Sequence, residues 1–138
     1  MFQKNSYTNY KLVSYKLVSE KYKDTELFTN CIEISCPDGY ISIIDDIHRL
    51  IKNYNKQYKQ KIKFSQVKMK FGSLVVYFEN IPLEHTSISY ESSQEVLKKI
   101  NVLIEATKSM CKVCGNCMTD IVINSRILKR CFDHFEVK

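Results

Sequence analysis

Five side chains able to bind a transition metal fall within the last 28 residues: Cys111, Cys114, Cys117, Cys131 and His134. Cys111 and Cys114 form a C-x-x-C pair in CKVCGNC, and Cys131 and His134 form a C-x-x-H pair in CFDH. Structural zinc takes four nitrogen or sulfur ligands in a tetrahedron, usually as two close pairs. A C-x-x-C pair sets two sulfurs on one tight knuckle, and Gly115 follows where the knuckle's turn calls for a residue tolerant of positive φ. The second pair suits the first turn of a helix, both groups on one face. The 16 residues between the pairs include DIVINSRILKR, enough for a small hairpin. Knuckle, hairpin, then helix start is the order of a treble-clef or ribbon-type zinc module. The favoured ligand set is Cys111, Cys114, Cys131 and His134, because two separated pairs close the tetrahedron with less strain. C-x-x-C-x-x-C also allows three ligands from one loop, with Cys117 as the alternate. Four protein ligands leave no position for water, so the metal is expected to be structural. A tail this short buries too little surface to fold alone. Reduced core thiols are the competing explanation, and for Cys31 and Cys36, which flank a short strand, it is the preferred one.

A second feature is electrostatic. The net charge is +6, and no acidic residue occurs between Asp46 and Glu79. That window holds Arg49, Lys52, Lys56, Lys59, Lys61, Lys63, Lys68 and Lys70. Lysines recruit phosphates by neutralising charge and releasing counterions. Tyr54, Tyr58 and Phe64 lie among them, and aromatic rings can stack on bases of single strands. A solvated helix face and sheet face, with Tyr54 and Phe64 in the core, is the plainer explanation, but solvated surfaces normally mix signs. With one arginine in the window, base-specific reading is not expected, since bidentate contacts to guanine come mainly from arginine.

The elements that must position these groups can be read from periodicity. The pentapeptide repeat YKLVSYKLVS (10–19) matches no regular period; a short strand or helix start is expected there, then a turn or two of helix over 19–28. CIEIS (31–35) alternates as a short strand. Asp38 is expected to cap a helix whose stripe is Tyr40, Ile43, Ile44, Ile47, Leu50, Ile51 and Tyr54, fading near residue 58. Val67, Met69 and Phe71 then alternate with Lys68 and Lys70, and LVVYFE (74–79) completes a hairpin through a Gly72-Ser73 turn of type II′. Ile62 and Phe64 are out of phase with Val67, which calls for a bulge near Ser65-Gln66. Residues 80–91 read as a loop, and Ser92 to Glu95 as a capping box opening a helix with the stripe Val96, Leu97, Ile100, Leu103 and Ile104.

DGYISIIDDIHRLI, FSQVKMKFGSLVVYF and the closing CKVCG and CFDH resemble a family of small proteins from bacteria, phages and other mobile elements. Members often carry D-G-W before a helix, a Q-x-K-x-K-F-G-x-L-x-F-Y hairpin, and a terminal C-x-x-C…C-x-x-H. The match covers roughly 36–134: Asp38, Gly39 and Tyr40 stand at the D-G-aromatic, and Gln66, Lys68, Lys70, Phe71, Gly72, Leu74 and Tyr77 at the hairpin. Ser73 replaces a frequent glycine, and Cys117 is extra. The resemblance implies this fold and a metal, and the genomic setting of such proteins suggests conflict systems, such as phage anti-defence or toxin immunity.

Asp45, Asp46 and His48 share one helical turn, as acid–base or metal groups can, but the carboxylates more simply favour the positive end of the helix. His85 has no evident partner. CFDH after C-x-x-C also resembles zinc-anchored HNH nucleases, without their His-Asn-His set. MFQKNSYTNY is not a signal peptide, and no run approaches the roughly 20 apolar residues of a membrane span, so a cytoplasmic protein with reduced thiols is expected.

The expected fold is α+β: two amphipathic helices on a small antiparallel sheet (1–110), with a C-terminal zinc module (111–138) packed on that core. The expected function is non-catalytic binding of nucleic acid or a nucleoprotein through the lysine-rich helix–hairpin face, including Tyr58. The alternative is an inhibitor, an anti-defence or immunity factor, that sets the same basic face on an acidic protein partner.

Overall fold

A computed structural model describes residues 13–83, 88–116, 118–123 and 126–131. The fold is α+β. Helix α1 (Leu17–Tyr22) leads through a 3-10 turn (Glu26–Phe28) and an extended segment to a second 3-10 turn (Asp38–Tyr40) and the long helix α2 (Ile41–Tyr58). Strands β1 (Lys63–Lys70) and β2 (Ser73–Glu79) form an antiparallel hairpin, followed by helix α3 (Ile88–Ala106). A separate hairpin of β3 (Met118–Ile123) and β4 (Arg126–Cys131) comes last.

Helix α2 follows its apolar period. Tyr40, Ile43, Ile44, Ile47, Ile51 and Tyr54 are buried, and together with Phe28, Phe64, Val67 and Leu74 they form one core. Phe64 stacks on Phe28 at 4.2 Å between ring centroids and tilts against Phe78 at 5.0 Å. Such ring pairs contribute beyond the area they bury. From α3, Ile100 enters the core, with Val96, Leu97, Leu103 and Ile104 partly buried against it.

Cys36 is fully buried and Cys31 partly so, as small residues beside a strand; burial pushes the Cys36 thiol up to about 12. The segment around Ile34 lies parallel to β1: the amides of Ile32 and Ser35 donate to the carbonyls of Ser65 and Val67, and Val67 donates back to Glu33. The register of β1 against β2 shifts between Phe64 and Gln66, where the phase break called for a bulge. The bulge lets Phe64 and Val67, three residues apart, both face inward.

Three local expectations are overturned. The hairpin turn is Phe71-Gly72 rather than Gly72-Ser73: Lys70 pairs with Ser73, and φ is +52° at Phe71 and +79° at Gly72. Two positive φ values mark a type I′ turn, whose twist matches the strands. Phe71 is therefore at the tip, 96% exposed, instead of on the apolar face. Asp38 does not cap α2, whose N-cap position is Tyr40, with no side chain capping the helix there. Its Oδ1 accepts from the amide of Leu17 at 2.8 Å, so Asp38 satisfies a donor at the start of α1 instead. Helix α3 starts by Ile88, which places Ser92 and Glu95 inside it; Ser93 donates to the Tyr90 carbonyl, a back-bond open to a serine within a helix.

Asp45 ties α1 to α2. Lys21 Nζ donates to its Oδ1 at 2.8 Å, and the Tyr22 hydroxyl donates to the same oxygen. Burial alone would raise the Asp45 pKa, but these two bonds outweigh it and hold the carboxyl below its usual range. A carboxylate lowered in the folded state adds stability that is complete above the unfolded value and fades as pH falls through the folded one. Asp45→Asn is expected to lose less stability than the parent protein between about pH 5 and about pH 3, measured by urea denaturation across that range. Equal losses would place the acid sensitivity elsewhere.

Candidate nucleic-acid interface and the cysteine knuckle

The basic residues fall into two groups with a shared member. On α2, Arg49, Lys52 and Lys56 recur at helical spacing on an exposed stripe. Lys52 and Lys56 line a depression of about 450 Å³ together with His48, Asn55 and the Glu26–Leu27 turn. Asn55, Glu26 and Leu27 also line an adjoining depression of about 240 Å³, whose other wall is Lys61 and Lys63. Asn55 is the hinge of this arrangement. Its Nδ2 donates to the Ile62 carbonyl at 2.9 Å, and its Oδ1 accepts from the Ile62 amide at 3.0 Å. This two-way bond satisfies both backbone groups of a fully buried residue and holds the start of β1 against the end of α2. Lys52 and Lys56 of α2, Lys61 just before β1 and Lys63 at its start thus border a groove made of two adjoining depressions that share Glu26, Leu27 and Asn55, with Glu26 the one carboxylate among the described residues lining them.

The second group is on the hairpin. Phe64, Val67 and Met69 face the core, so alternation on either side of the bulge puts Lys63, Gln66, Lys68 and Lys70 on the outer face of β1. Opposite them on β2 are Glu79, Tyr77, Val75 and Ser73. The carboxylates of this face gather at one end, where Glu79 pairs in register with Lys63 and Glu33 accepts from Gln66 Nε2 at 2.8 Å. Lys68 and Lys70 occupy the other end. Arg49 pairs with Asp46 at 2.9 Å, whereas among the described residues none of Lys52, Lys56, Lys59, Lys61, Lys63, Lys68 and Lys70 is in an ion pair. Lys59 caps α2 in the left-handed region, φ +54°.

The aromatic part of the expectation changes. Tyr54 and Phe64 are core residues: Phe64 has no exposed surface, and the Tyr54 hydroxyl donates to the Ser89 carbonyl on α3. Tyr58 packs on Tyr54 at 4.9 Å and lines the cleft toward α3, away from the lysine groove. The exposed rings near the lysines are Phe71 and Tyr77, which period-two alternation and the turn rule did not single out. The signal available in the sequence was an aromatic immediately before a glycine in a two-residue loop.

Asp45 and His48 share a face, yet Asp45 is committed to Lys21 and Tyr22. The His48 ring lies 4.8 Å from the Tyr22 ring and stacks nearly parallel to Phe28 at 6.3 Å. Burial, then the Lys52 charge, lowers its pKa and favours the neutral imidazole. His85 lies outside the described residues.

The cysteine knuckle follows α3. The Gly115 amide donates to the Cys111 carbonyl at 2.8 Å, the Cys111 amide donates to the Asn116 carbonyl at 2.7 Å, and φ is +82° at Gly115. The Val113 amide points at Cys111 Sγ, 3.4 Å away. The turn holds Cys111 and Cys114 three residues apart on one tight loop, the spacing that a zinc half-site uses. Cys111 is buried and Cys114 exposed. Cys131 ends β4 in register with Met118, so the hairpin returns it to the residue after Cys117. Cys117 and His134 lie outside the described residues, among which no three His, Cys, Asp or Glu side chains gather as a metal site.

The knuckle approaches the D-G-aromatic element backbone to backbone. The Gly39 amide donates to the Lys112 carbonyl at 2.7 Å. A Cβ on Gly39 would lie 2.2 Å from the Cys111 carbonyl oxygen, and one on Gly115 would lie 2.5 Å from the Gly39 carbonyl oxygen. Only two glycines allow this approach. Comparison with family models, curated proteins and solved structures gives no match.

Gly39→Ala is expected to lower the unfolding free energy by at least about 2 kcal/mol, because the obstacle is backbone and cannot swing aside. Gly72→Ala, where φ is +79° but nothing lies within 4 Å, should lose only about 1 kcal/mol. Equal losses in chemical denaturation would show that the knuckle is not pressed on Gly39.

Proposed function

We propose that this protein binds nucleic acid through the lysine groove and the outer face of the hairpin. The observation that carries the reading is the sorting of charge: the six lysines of the groove and the hairpin face make no ion pair among the described residues. Holding like charges together unneutralised costs electrostatic energy, and a polyphosphate removes that cost by releasing its own counterions. Lysine is a point charge without the planar fork of arginine, so the contacts are to phosphates and not to base edges. No helix of the described residues is long and apolar enough to cross a membrane.

The proposal includes a structural zinc ion held by Cys111, Cys114, Cys131 and His134, with Cys117 as the alternate ligand. Zinc bound there supplies folding energy and a cross-link between the knuckle and the chain end. Because the knuckle rests on Gly39 at the entry to α2, the metal also bears on the helix that carries Lys52 and Lys56.

A second reading has one observation in its favour. Ile32, 81% exposed, and Phe71 are apolar surface that a protein interface would cover. In that case the protein is an inhibitor of the anti-defence or immunity kind, and the lysines meet an acidic protein.

Salt separates the two. Binding to a labelled oligonucleotide is expected to weaken log-linearly with salt, and Lys61, Lys63 and Lys68 changed together to Gln should reduce the slope by about 2, near 0.7 per phosphate contact on a single strand. No binding at low salt would remove the nucleic-acid reading in favour of the protein partner. For the metal, Cys114→Ser is expected to lower both the zinc content and the melting temperature of the purified protein; if both stay unchanged, the site is wrong.

A further inference from the structure

Phe71 is placed where folding has no use for it. Its φ of +52° lies in the left-handed region, which a residue with a bulky ring rarely adopts. The first position of a type I′ turn is ordinarily filled by Asn, Asp or Gly for that reason. At 96% exposure the ring recovers nothing by burial. Backbone strain and apolar hydration both oppose phenylalanine here, and among the described residues the contact that offsets them is the Lys70 ammonium, 5.8 Å from the ring centroid. Strained residues of this kind persist where a function holds them.

The surroundings indicate what covers the ring. Lys70 and Lys68 stand behind it on the outer face of β1, and Tyr77, 42% exposed, stands on the same face of β2 opposite Gln66. By register Tyr77 is four residues from the turn, on the order of 13 Å along the strand. No carboxylate occurs from Lys61 to Phe78. Two exposed rings with lysines between them match a chain of phosphates carrying free aromatic bases. A duplex hides its base faces in the stack, while a single strand offers every one of them.

We infer that Phe71 stacks on an unpaired base, and that single-stranded nucleic acid is therefore the ligand of the hairpin face. This rests on the nucleic-acid reading above. The Lys70 charge over the ring stays in place as the base arrives on the opposite side, and Lys68 and Lys70 hold the adjoining phosphates. Tyr77 offers a second platform further along the same face.

The chain contains no tryptophan, so Phe71→Trp makes the hairpin tip its only indole. Its fluorescence should be quenched by a 20-residue oligodeoxythymidine and left unchanged by a duplex of equal length. Phe71→Asn removes the ring and suits the turn, so its melting temperature should equal or exceed that of the parent. Its affinity for the single strand should fall about tenfold with the salt slope preserved, as expected for one lost stacking contact. Phe71→Tyr should restore affinity. If the parent binds with a steep salt slope while Phe71→Asn binds equally well and the indole is not quenched, the lysine reading stands and this inference fails. If the parent binds neither strand form at low salt, both fall together.

Discussion

Helix α2 is fixed by the burial of one face, and every other surface of the described core takes its position from that constraint. Ile44, Ile47 and Ile51 have no exposed surface, and the core they share with Phe28 and Phe64 joins the helix to the Glu26–Phe28 turn and to β1. At 3.6 residues per turn, seating that stripe inward leaves Arg49, Lys52 and Lys56 outward on one line. The Asn55–Ile62 bonds then bring Lys61 and Lys63 to the same groove. The lysines converge because the isoleucines are buried; no interaction among the lysines themselves draws them together. A change that rotated α2 by even one residue would disperse the groove while leaving its charge unchanged.

A second constraint is steric. Gly39 and Gly115 let two backbones approach to hydrogen-bonding distance, which puts the C-x-x-C knuckle at the entry to α2. The D-G-aromatic element therefore serves three neighbours within three residues. Asp38 satisfies the amide of Leu17, Gly39 receives the knuckle, and Tyr40 begins the buried stripe. A metal held at the knuckle, as proposed, would bear on the lysine groove through this junction, by bracing the helix that carries it.

Periodicity made the long elements legible. The isoleucine stripe, the strand pair and the phase break at Ser65-Gln66 all follow from side-chain spacing, because burial acts on every residue of an element and the signal accumulates. The misses are single-residue geometries. Alternation carried Phe71 inward, but the two-residue turn needed Phe71-Gly72 to keep Lys70 opposite Ser73, and a phenylalanine at that position gives none of the usual turn signals. Asp38 looks like the cap of the helix that follows it; its actual partner, the Leu17 amide, is 21 residues earlier and invisible to local reading. Ser92 to Glu95 matched a capping box inside a helix that had already begun. Of the proposed metal ligands, the knuckle geometry at Cys111 and the register of Cys131 are on view, while Cys117 and His134 lie outside the described residues.

The proposed binding surface is what the core leaves over: lysines that make no ion pair among the described residues, and one aromatic ring held outside against strain. Photo-crosslinking of the zinc-loaded protein to an oligonucleotide bearing 5-iodouracil, with the adducts located by mass spectrometry, tests this account most directly. Adducts on Phe71 or Tyr77 are the predicted result. Crosslinks confined to peptides outside the groove and the β1–β2 hairpin, or none at all under conditions where the oligonucleotide is retained, would contradict it.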